Sequence, residues 1–279
     1  MPESTQGAAP LRVENDRGVR RLILDNPPVN IIDGTLIREL FKAVAVAAED
    51  PTCRVLVLQS ANPDFFLAHF DVQSLLDSPP QIDPSATELN GFHRMCETLR
   101  TMPKPTIAMI DGRVGGGGGE IAASCDMRFG SPRTILNQME VPLGILPGGS
   151  GTQRLPRLIG RGRAMEVVLG GVDIDAQTAT DWGWLNRVIP ADQLENFVDQ
   201  LAVRIASFPA DAVAKAKAAV LAASPDPTPG LRVEAQLFGE LVTSDDAVTR
   251  MRHFMERGGQ QPEAELRMGD FATELDELH

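Results

Sequence analysis

Two glutamates of this chain stand where a carboxyl group could exchange protons with a bound ligand. Glu120 directly follows five consecutive glycines at positions 115–119, and Glu140 precedes a second segment rich in glycine and proline. Two carboxyl groups can act as general base and general acid when their surroundings separate their pKa values. The alternatives are a glutamate stabilised by a helix dipole at position 120 and a solvated loop residue at position 140. Residue types and spacing alone favour these alternatives.

The glycine run lies between an apolar segment at 104–110, which predicts a buried strand, and a small-residue segment that predicts a helix. Glycines permit unusual backbone angles and let a ligand approach the main chain closely. The N–H groups at a helix start, together with the positive end of its dipole, favour negative charge. We therefore interpret the run as an anion-binding turn, with a flexible linker or a close strand–helix contact as the alternative.

Several other catalytic motifs are absent from the sequence. There is no GxxxxGK[ST] phosphate loop, the glycine run lacks the GxGxxG register, and no HExxH occurs. Ser150 does not stand in a GxSxG motif. The three cysteines show no CxxC spacing, which argues against a zinc site or a disulfide framework. What remains is a carboxylate beside a backbone anion site.

Composition limits the classes of partner. The 279 residues carry a net charge of −12, and the pI is about 4.8. An acidic surface repels phosphate backbones, so nucleic acid is not an expected partner. The N-terminus lacks the features of a signal peptide, and no apolar run is long enough to span a membrane. We expect a cytoplasmic protein without a membrane partner.

The elements that must position the glutamates alternate between strands and helices over the first two thirds of the chain. Asp33 predicts the start of one helix. Beyond about residue 191 the pattern is helical only, which predicts an α/β core and a helical C-terminal subdomain. Residues 1–10 are predicted to be disordered and residues 77–85, with three prolines, to be a loop. The predicted strands are 11–13, 19–24, 54–58, 104–110, 127–129, 134–136 and 187–189, and the predicted helices are 33–49, 87–102, 151–159, 161–170, 175–182, 191–207, 209–223, 231–243 and 245–257.

Three segments of the sequence resemble the enoyl-CoA hydratase/isomerase (crotonase) family: residues 112–126, 137–140 and 146–160. The resemblance covers about residues 11–205 and is most specific across 104–171. It implies an α/β fold built as a crotonase-like spiral of β-β-α turns over 11–205. It further implies that 206–279 form a helical C-terminal trimerisation region and that the protein is a homotrimer or a dimer of trimers.

The resemblance also implies roles for individual residues. Glu120 and Glu140 match the two catalytic glutamates of the hydratases, and the backbone N–H groups of Phe70 and Gly117 match the family's oxyanion hole. Gly148 matches a glycine near the catalytic water. The remaining residues expected to bind substrate are Ala68, His69, Asp71 and Gly116.

With both glutamates present, the resemblance implies hydration of a 2-enoyl-CoA thioester. An enoyl-CoA isomerase, a dienoyl-CoA hydratase, a hydrolase and a non-catalytic subunit of this fold are the alternatives. No metal or redox cofactor is expected, because the thioester itself acidifies the α-carbon and coenzyme A is part of the substrate. Charge alone makes four basic residues candidates for contacts with the CoA phosphates: Arg100, Lys104, Arg154 and Arg157.

One position departs from the family pattern. His69 stands where the family usually has a glycine, just before the first oxyanion donor. A histidine there could narrow the pocket, shift the acyl-chain preference or place a titratable group near the substrate. The favoured alternative is that His69 points away and packs.

Overall fold

The computed structural model describes residues 9–81 and 88–275. Positions 1–8 and 82–87, which hold most of the predicted disordered terminus and part of the predicted proline loop, lie outside the described residues. The strands are β1 Leu11–Asp16, β2 Val19–Leu24, β3 Val55–Ser60, β4 Phe65–Leu67, β5 Thr106–Ile110, β6 Arg113–Gly115, β7 Met127–Gly130, β8 Ile135–Asn137, β9 Ile174–Asp175 and β10 Arg187–Val188.

Helices alternate with the strands and then fill the last third of the chain. A 3-10 turn, Val141–Leu143, follows β8. No helix among the described residues is both long enough and apolar enough to cross a membrane. The helices are α1 Gly34–Glu49, α2 Val72–Asp77, α3 Gly91–Thr101, α4 Gly116–Ser124, α5 Gly151–Ile159, α6 Arg161–Gly170, α7 Ala176–Trp182, α8 Ala191–Ala206, α9 Ala210–Leu221, α10 Thr228–Val242, α11 Asp245–Glu256, α12 Pro262–Glu265 and α13 Met268–Glu274.

Local signals explain where several helices begin. Asp33 caps α1 by accepting hydrogen bonds from the N–H groups of Thr35 and Leu36. The predicted helix at 87–102 begins later, at Gly91, because Asn90 caps it and accepts from the N–H of His93. The predicted helix at 231–243 begins earlier, at Thr228, because Pro229 suits a first helical turn, where its missing N–H costs nothing.

The first sheet holds six strands in the order β1-β2-β3-β5-β7-β10. β1 and β2 form an antiparallel hairpin, and the remaining neighbours are parallel. The first five residues of β3, Val-Leu-Val-Leu-Gln, are all buried, as expected for a strand covered on both faces. One face packs against α1 and α3, and the other packs against α8.

The second sheet is smaller and positions the candidate site. Its order is β4-β6-β8-β9, in which β4, β6 and β8 are parallel and β9 is antiparallel to β8. His69 and Phe70 follow β4, the glycine run and Glu120 follow β6, and Glu140 follows β8. Because carboxyl ends of neighbouring parallel strands meet at one edge, the three segments come together there.

The two sheets share a repeating path of the chain. A strand of the first sheet, a strand of the second sheet and a helix succeed one another three times: β3-β4 with α3, β5-β6 with α4, and β7-β8 with α5. This is the β-β-α spiral that the sequence resemblance implies.

The C-terminal helices build a second core beside the second sheet. Met251, Phe254 and Phe271 are buried against Val72 and Leu143, which belong to α2 and the 3-10 turn. Residues 259–279 are polar and acidic by composition, yet α12 and α13 lie within them and pack into this core. The last helices therefore contact the segments that follow β4 and β8.

Candidate active site

One cavity of about 400 Å³ lies where β4, β6 and β8 end. Six of the residues expected to form the site line it: His69, Phe70, Gly117, Glu120, Glu140 and Gly148. The rest of the wall is mainly apolar and includes Ile37, Phe41, Val72, Leu75, Phe92, Met139, Leu143, Ile145 and Phe238. An apolar cavity with a few convergent polar groups is typical of a small-molecule site.

The backbone N–H groups of Gly117 and Phe70 belong to neighbouring residues at this cavity. Gly117 stands in the first turn of α4, where N–H groups have no acceptor within the helix. Ile32 N–H donates to His69 O at 2.9 Å, and Asp71 N–H donates to Ile32 O at 3.2 Å. This parallel bridge directs the Phe70 N–H away from Ile32. A Cβ built on Gly117 would lie 3.6 Å from Phe70 N, so the two donors are neighbours.

The glycines of α4 also pack the helix against its surroundings. A Cβ on Gly118 would lie 2.5 Å from both the carbonyl oxygen and the Cβ of Leu67 at the end of β4. Gly116 has φ +42°, and a Cβ there would lie 2.9 Å from Glu140 Oε1 and from His69 Cβ. The close strand–helix contact that the sequence left as an alternative is therefore present, and the anion-binding role of the run stays a prediction.

Glu120 is buried, with 3% of its surface exposed, and a loop holds it in place. Its Oε1 accepts hydrogen bonds from the N–H groups of Gly149 (2.8 Å) and Gly151 (2.6 Å). Burial raises the pKa of Glu120 well above its usual value, and the nearby carboxylates Glu234 and Glu140 raise it further. With Oε1 occupied by two donors, Oε2 is the oxygen that can exchange a proton.

Glu140 is the second buried carboxyl group at the cavity. Its Oε2 is buried and has no hydrogen-bond partner among residues 9–81 and 88–275. Burial raises the pKa of Glu140 to about 7, although its own backbone N–H and the charge of His69 oppose the rise. A carboxyl group with a pKa near neutrality can both take and give a proton at physiological pH.

A third buried carboxylate, Glu234 of α10, supports the loop that holds Glu120. It accepts hydrogen bonds from Ser150 N–H (2.6 Å), from Thr152 N–H (3.0 Å) and from the hydroxyl of Thr152. His93 of α3 also lies against it, with Nε2 at 2.9 Å from Glu234 Oε1. Glu234 thus connects the C-terminal helices to the backbone that contacts Glu120.

His69 does not lie free in the cavity. Its Nδ1 is 2.7 Å from Phe70 O, and its Nε2 is 2.9 Å from Oε1 of Glu265 in α12. Burial alone would lower the pKa of His69, but the Glu265 carboxylate outweighs that effect and raises it above its usual value. The expectation that His69 simply packs is therefore incomplete, since the ring joins the segment after β4 to the C-terminal region.

Of the other predicted substrate-binding residues, Gly148 lines the cavity, whereas Ala68, Asp71 and Gly116 are not among its lining residues. Ala68 is buried beside β6, and a Cβ on Gly115 would lie 2.9 Å from its carbonyl oxygen. Asp71 caps α2 by accepting from Gln73 N–H at 3.1 Å. Gly148 contacts Phe238 of α10, and Gly116 contacts His69 and Glu140. Their direct contact with a substrate stays a prediction.

Two of the basic residues proposed for the CoA phosphates are occupied elsewhere. Lys104 Nζ donates to the carbonyl oxygens of Ala47 (2.6 Å) and Asp50 (2.5 Å), and Lys104 is buried. Arg154 is buried and pairs with Glu97. Arg157 is exposed, so burial removes Lys104 and Arg154 but not Arg157 from the candidates.

A sequence model of the enoyl-CoA hydratase/isomerase family matches residues 14–263. The chain belongs to the enoyl-CoA hydratase/isomerase family. A short-chain-enoyl-CoA hydratase of Clostridium acetobutylicum is 30% identical over 247 residues, which cover 88% of this chain and 94% of that protein. An enoyl-CoA isomerase/hydratase of Mycosarcoma maydis is 31% identical over 252 residues, which cover 86% and 90% of the two chains. A solved structure from Streptomyces avermitilis has a TM-score of 0.86 and 37% identity, covering 95% of this chain and 98% of that one.

The family resemblance seen in the sequence is thus confirmed. Sequence reasoning nevertheless missed two residues of this family member that support its site, Glu234 and Glu265. A signal existed for Glu234, because it stands at helical spacing within the apolar series of Leu231, Phe238 and Val242. Glu265 lies in a polar, acidic stretch and had no such signal.

Proposed function

We propose that this family member is an enoyl-CoA hydratase, which adds water across the double bond of a 2-enoyl-CoA thioester. One observation carries the proposal. The N–H groups of Phe70 and Gly117 and the buried carboxyl groups of Glu120 and Glu140 line the same cavity. Two donors and two carboxyl groups are the set that hydration of a conjugated thioester requires.

The donors act on the charge that develops during addition. When a water oxygen attacks the β-carbon, electrons move through the α-carbon onto the thioester oxygen, which becomes enolate-like. The N–H groups of Phe70 and Gly117, with the positive end of the α4 dipole, stabilise that oxygen. A preorganised donor of this kind contributes on the order of 3 kcal/mol to the transition state.

The carboxyl groups handle the protons. Burial raises the pKa of both groups, that of Glu120 well above its usual value and that of Glu140 to about 7, and the proposed mechanism uses one of them ionised and the other protonated. The ionised member takes a proton from water as its oxygen bonds to the β-carbon. The protonated member gives its proton to the α-carbon, so H and OH have been added and the pair again holds one proton.

The apolar wall suits the acyl group. Phe41, Phe92 and Phe238 line the cavity, and a bound acyl group packed against these apolar rings would exclude water from the donors. Exclusion of water strengthens the electrostatic effect of the two N–H groups. The thioester itself acidifies the α-carbon, so the proposed reaction uses no group beyond the protein and its CoA substrate.

Isomerisation is the second candidate, and the name of the Mycosarcoma maydis relative includes it. Moving a double bond requires a proton to leave one carbon and return to another, for which one carboxyl group suffices. The presence of both Glu120 and Glu140 at the cavity therefore favours hydration. The same two buried carboxyl groups speak against a non-catalytic subunit, because burying them without a use is costly.

The test follows the loss of the conjugated-thioester absorbance with crotonyl-CoA and with longer 2-enoyl-CoAs. Glu120→Gln and Glu140→Gln should each lower kcat by about 100-fold or more, as expected for removal of a general acid or base. Glu166→Gln is the matched control, because it removes the same charge from an exposed position of α6.

Two outcomes would count against hydration. The first is a wild-type protein that turns over no 2-enoyl-CoA. The second is full hydration by both glutamine variants. Conversion of a 3-enoyl-CoA to the conjugated isomer, without hydration of the product, would favour the isomerase instead.

A further inference from the structure

The segment that carries the Phe70 donor is held by a part of the chain almost two hundred residues away. His69 contacts Phe70 O through Nδ1 at 2.7 Å and Glu265 Oε1 through Nε2 at 2.9 Å. The two side chains are buried, with 4% and 3% of their surfaces exposed. The His69 ring also packs edge-on against Phe254, with ring centroids 5.8 Å apart.

The hydrogen-bond partners determine how many protons this ring carries. Phe70 O can only accept, so His69 Nδ1 must donate to it. Glu265 Oε1 accepts from Gln260 N–H at 2.9 Å, and the oxygen of an ionised Glu265 can only accept from His69 Nε2 as well. A ring that donates through both nitrogens is an imidazolium, and it pairs here with a buried carboxylate.

Gln260 completes the contact between the two segments. Its side-chain oxygen accepts from Val72 N–H at 2.7 Å, and its side-chain nitrogen donates to Asp71 Oδ1 at 3.0 Å. Residues 69, 71 and 72 are thus all held by residues 260–265, while Ile32 binds the opposite side of the same segment. Phe70 has little freedom to turn its N–H away from the cavity.

We propose that His69 and Glu265 are positioning residues for the oxyanion hole. The imidazolium–carboxylate pair fixes the Phe70 carbonyl, and through that peptide segment it holds the Phe70 N–H toward the thioester oxygen. This inference rests on the proposed function, since the donor matters only when a charge develops on that oxygen.

The charges around His69 agree with this role. Glu265 and Glu140 are the carboxylates that raise the pKa of His69 against the effect of burial. Both stand on elements packed against the ring, α12 and the segment after β8. In turn, the His69 charge favours the ionised form of Glu140. Loss of the His69–Glu265 pair should therefore alter both the orientation of the Phe70 N–H and the pH dependence of Glu140.

The kinetic test compares Glu265→Gln and His69→Gln with Glu263→Gln. Glu263 lies on the same short helix as Glu265 but is exposed, so its variant controls for the change in charge. Each variant of the pair should lower kcat on 2-enoyl-CoA by about tenfold to 100-fold, less than deletion of an oxyanion donor, while KM changes less than about threefold. The kcat of the double variant should be no lower than that of the less active single variant, because both substitutions break the same ion pair.

A spectroscopic test is independent of turnover. The chain contains four histidines, so the imidazole nitrogens of histidine-labelled protein can be assigned by comparison with His69→Gln. At pH 7 the His69 ring should carry protons on both nitrogens. In Glu265→Gln, where the carboxylate charge is gone, the signal should become that of a neutral ring.

The outcomes separate this inference from the proposed function. Wild-type turnover of 2-enoyl-CoA with unchanged kcat in both variants of the pair would overturn the positioning role and leave hydration intact. If the His69 ring of the wild-type protein carried one proton at pH 7, the assignment of an imidazolium would be wrong. If the wild-type protein turned over no 2-enoyl-CoA, the proposed function would be wrong, and so would the positioning role of His69 and Glu265. The spectrum would still show whether the two side chains form an imidazolium–carboxylate pair.

Discussion

Phe70 and Gly117, the two donors of the proposed oxyanion hole, line one cavity, but the chain positions them in different ways. Gly117 follows a strand by two residues and stands in the first helical turn, so its geometry comes from a strand–glycine–helix segment that is contiguous in sequence. Phe70 follows β4 in an irregular segment, and residues 32, 260 and 265 hold it. One half of the oxyanion hole is therefore local, and the other depends on tertiary contacts.

The two halves should therefore respond to different kinds of substitution. The Gly117 half depends on close backbone packing, so one added methyl group can displace it. The Phe70 half depends on hydrogen bonds from a distant segment, so it should loosen gradually when those bonds are removed. Substitutions at Gly118 and Gln260 test the two halves, and a substitution at Glu140 tests the carboxyl group at the same cavity.

The largest effect is expected from Gly118→Ala. Its Cβ would lie 2.5 Å from Leu67 O, a backbone atom that cannot rotate away, so α4 must shift and move the Gly117 N–H. Hydration should fall by about 100-fold to 1,000-fold, as for loss of an oxyanion donor. The control is Gly162→Ala in α6, where nothing lies within 4 Å of the added Cβ. Equal activity of the two variants would show that the local half tolerates displacement.

The next largest effect concerns the stability of Glu140→Gln. Burial raises the pKa of Glu140 to about 7 in the folded state. An unfolded glutamate has a pKa of about 4.3. Between these values the folded protein binds more protons than the unfolded chain, so this contribution to stability is present at low pH and is lost as pH rises to about 7.

Replacement by glutamine removes that pH-dependent loss. Relative to wild type, the free energy of unfolding of Glu140→Gln should rise by about 1.4 kcal/mol per pH unit across this window, or about 4 kcal/mol in all. Denaturant unfolding of both proteins from pH 4 to 8 measures the difference. A difference that stays constant with pH would mean that Glu140 is not a buried carboxyl group of raised pKa. Glu166→Gln, at an exposed site, should show no such trend.

The smallest effect is expected from Gln260→Asn, which shortens one contact of the Phe70 half. Gln260 has φ +67°, a backbone conformation that asparagine tolerates, so the change withdraws the amide from Asp71 and Val72 without adding backbone strain. We expect kcat to fall by about threefold, because the His69–Glu265 pair remains. Gln261→Asn, at the exposed neighbouring position, is the matched control. A fall in kcat as large as that of Gly118→Ala would show that the Phe70 half is as sensitive to a single substitution as the Gly117 half.

The elements closest to the Gly117 half could be predicted from the sequence because their signals are local. The apolar segment before the glycines, the glycine run and the small-residue helix succeed one another within about twenty residues. The strands at 11–13 and 19–24 and the helix capped by Asp33 were predicted for the same reason. The helix boundaries were predicted less accurately. The first turn of α10 depends on Pro229, which the apolar spacing does not reveal.

The role of His69 could not be predicted in this way. Its neighbours in sequence gave only the departure from the family's usual glycine, and its partner Glu265 lies 196 residues away. Glu234 was in principle visible as a charge on an apolar helix face, but nothing in the sequence tells which backbone N–H groups it accepts from.

By itself, the sequence determined the family and the alternating strands and helices, because these follow from contiguous motifs and short-range periodicity. The catalytic roles of Glu120, Glu140 and Gly117 are implied by the resemblance and stay predictions. Only the tertiary structure decided which buried charges meet. It brought the ends of three parallel strands to one edge, set Glu120 and Glu140 in one cavity, and placed Glu265 against His69. Hydrogen bonds and charge interactions act over a few ångströms in space whatever the separation in sequence, so the pair that holds Phe70 becomes visible only in the fold.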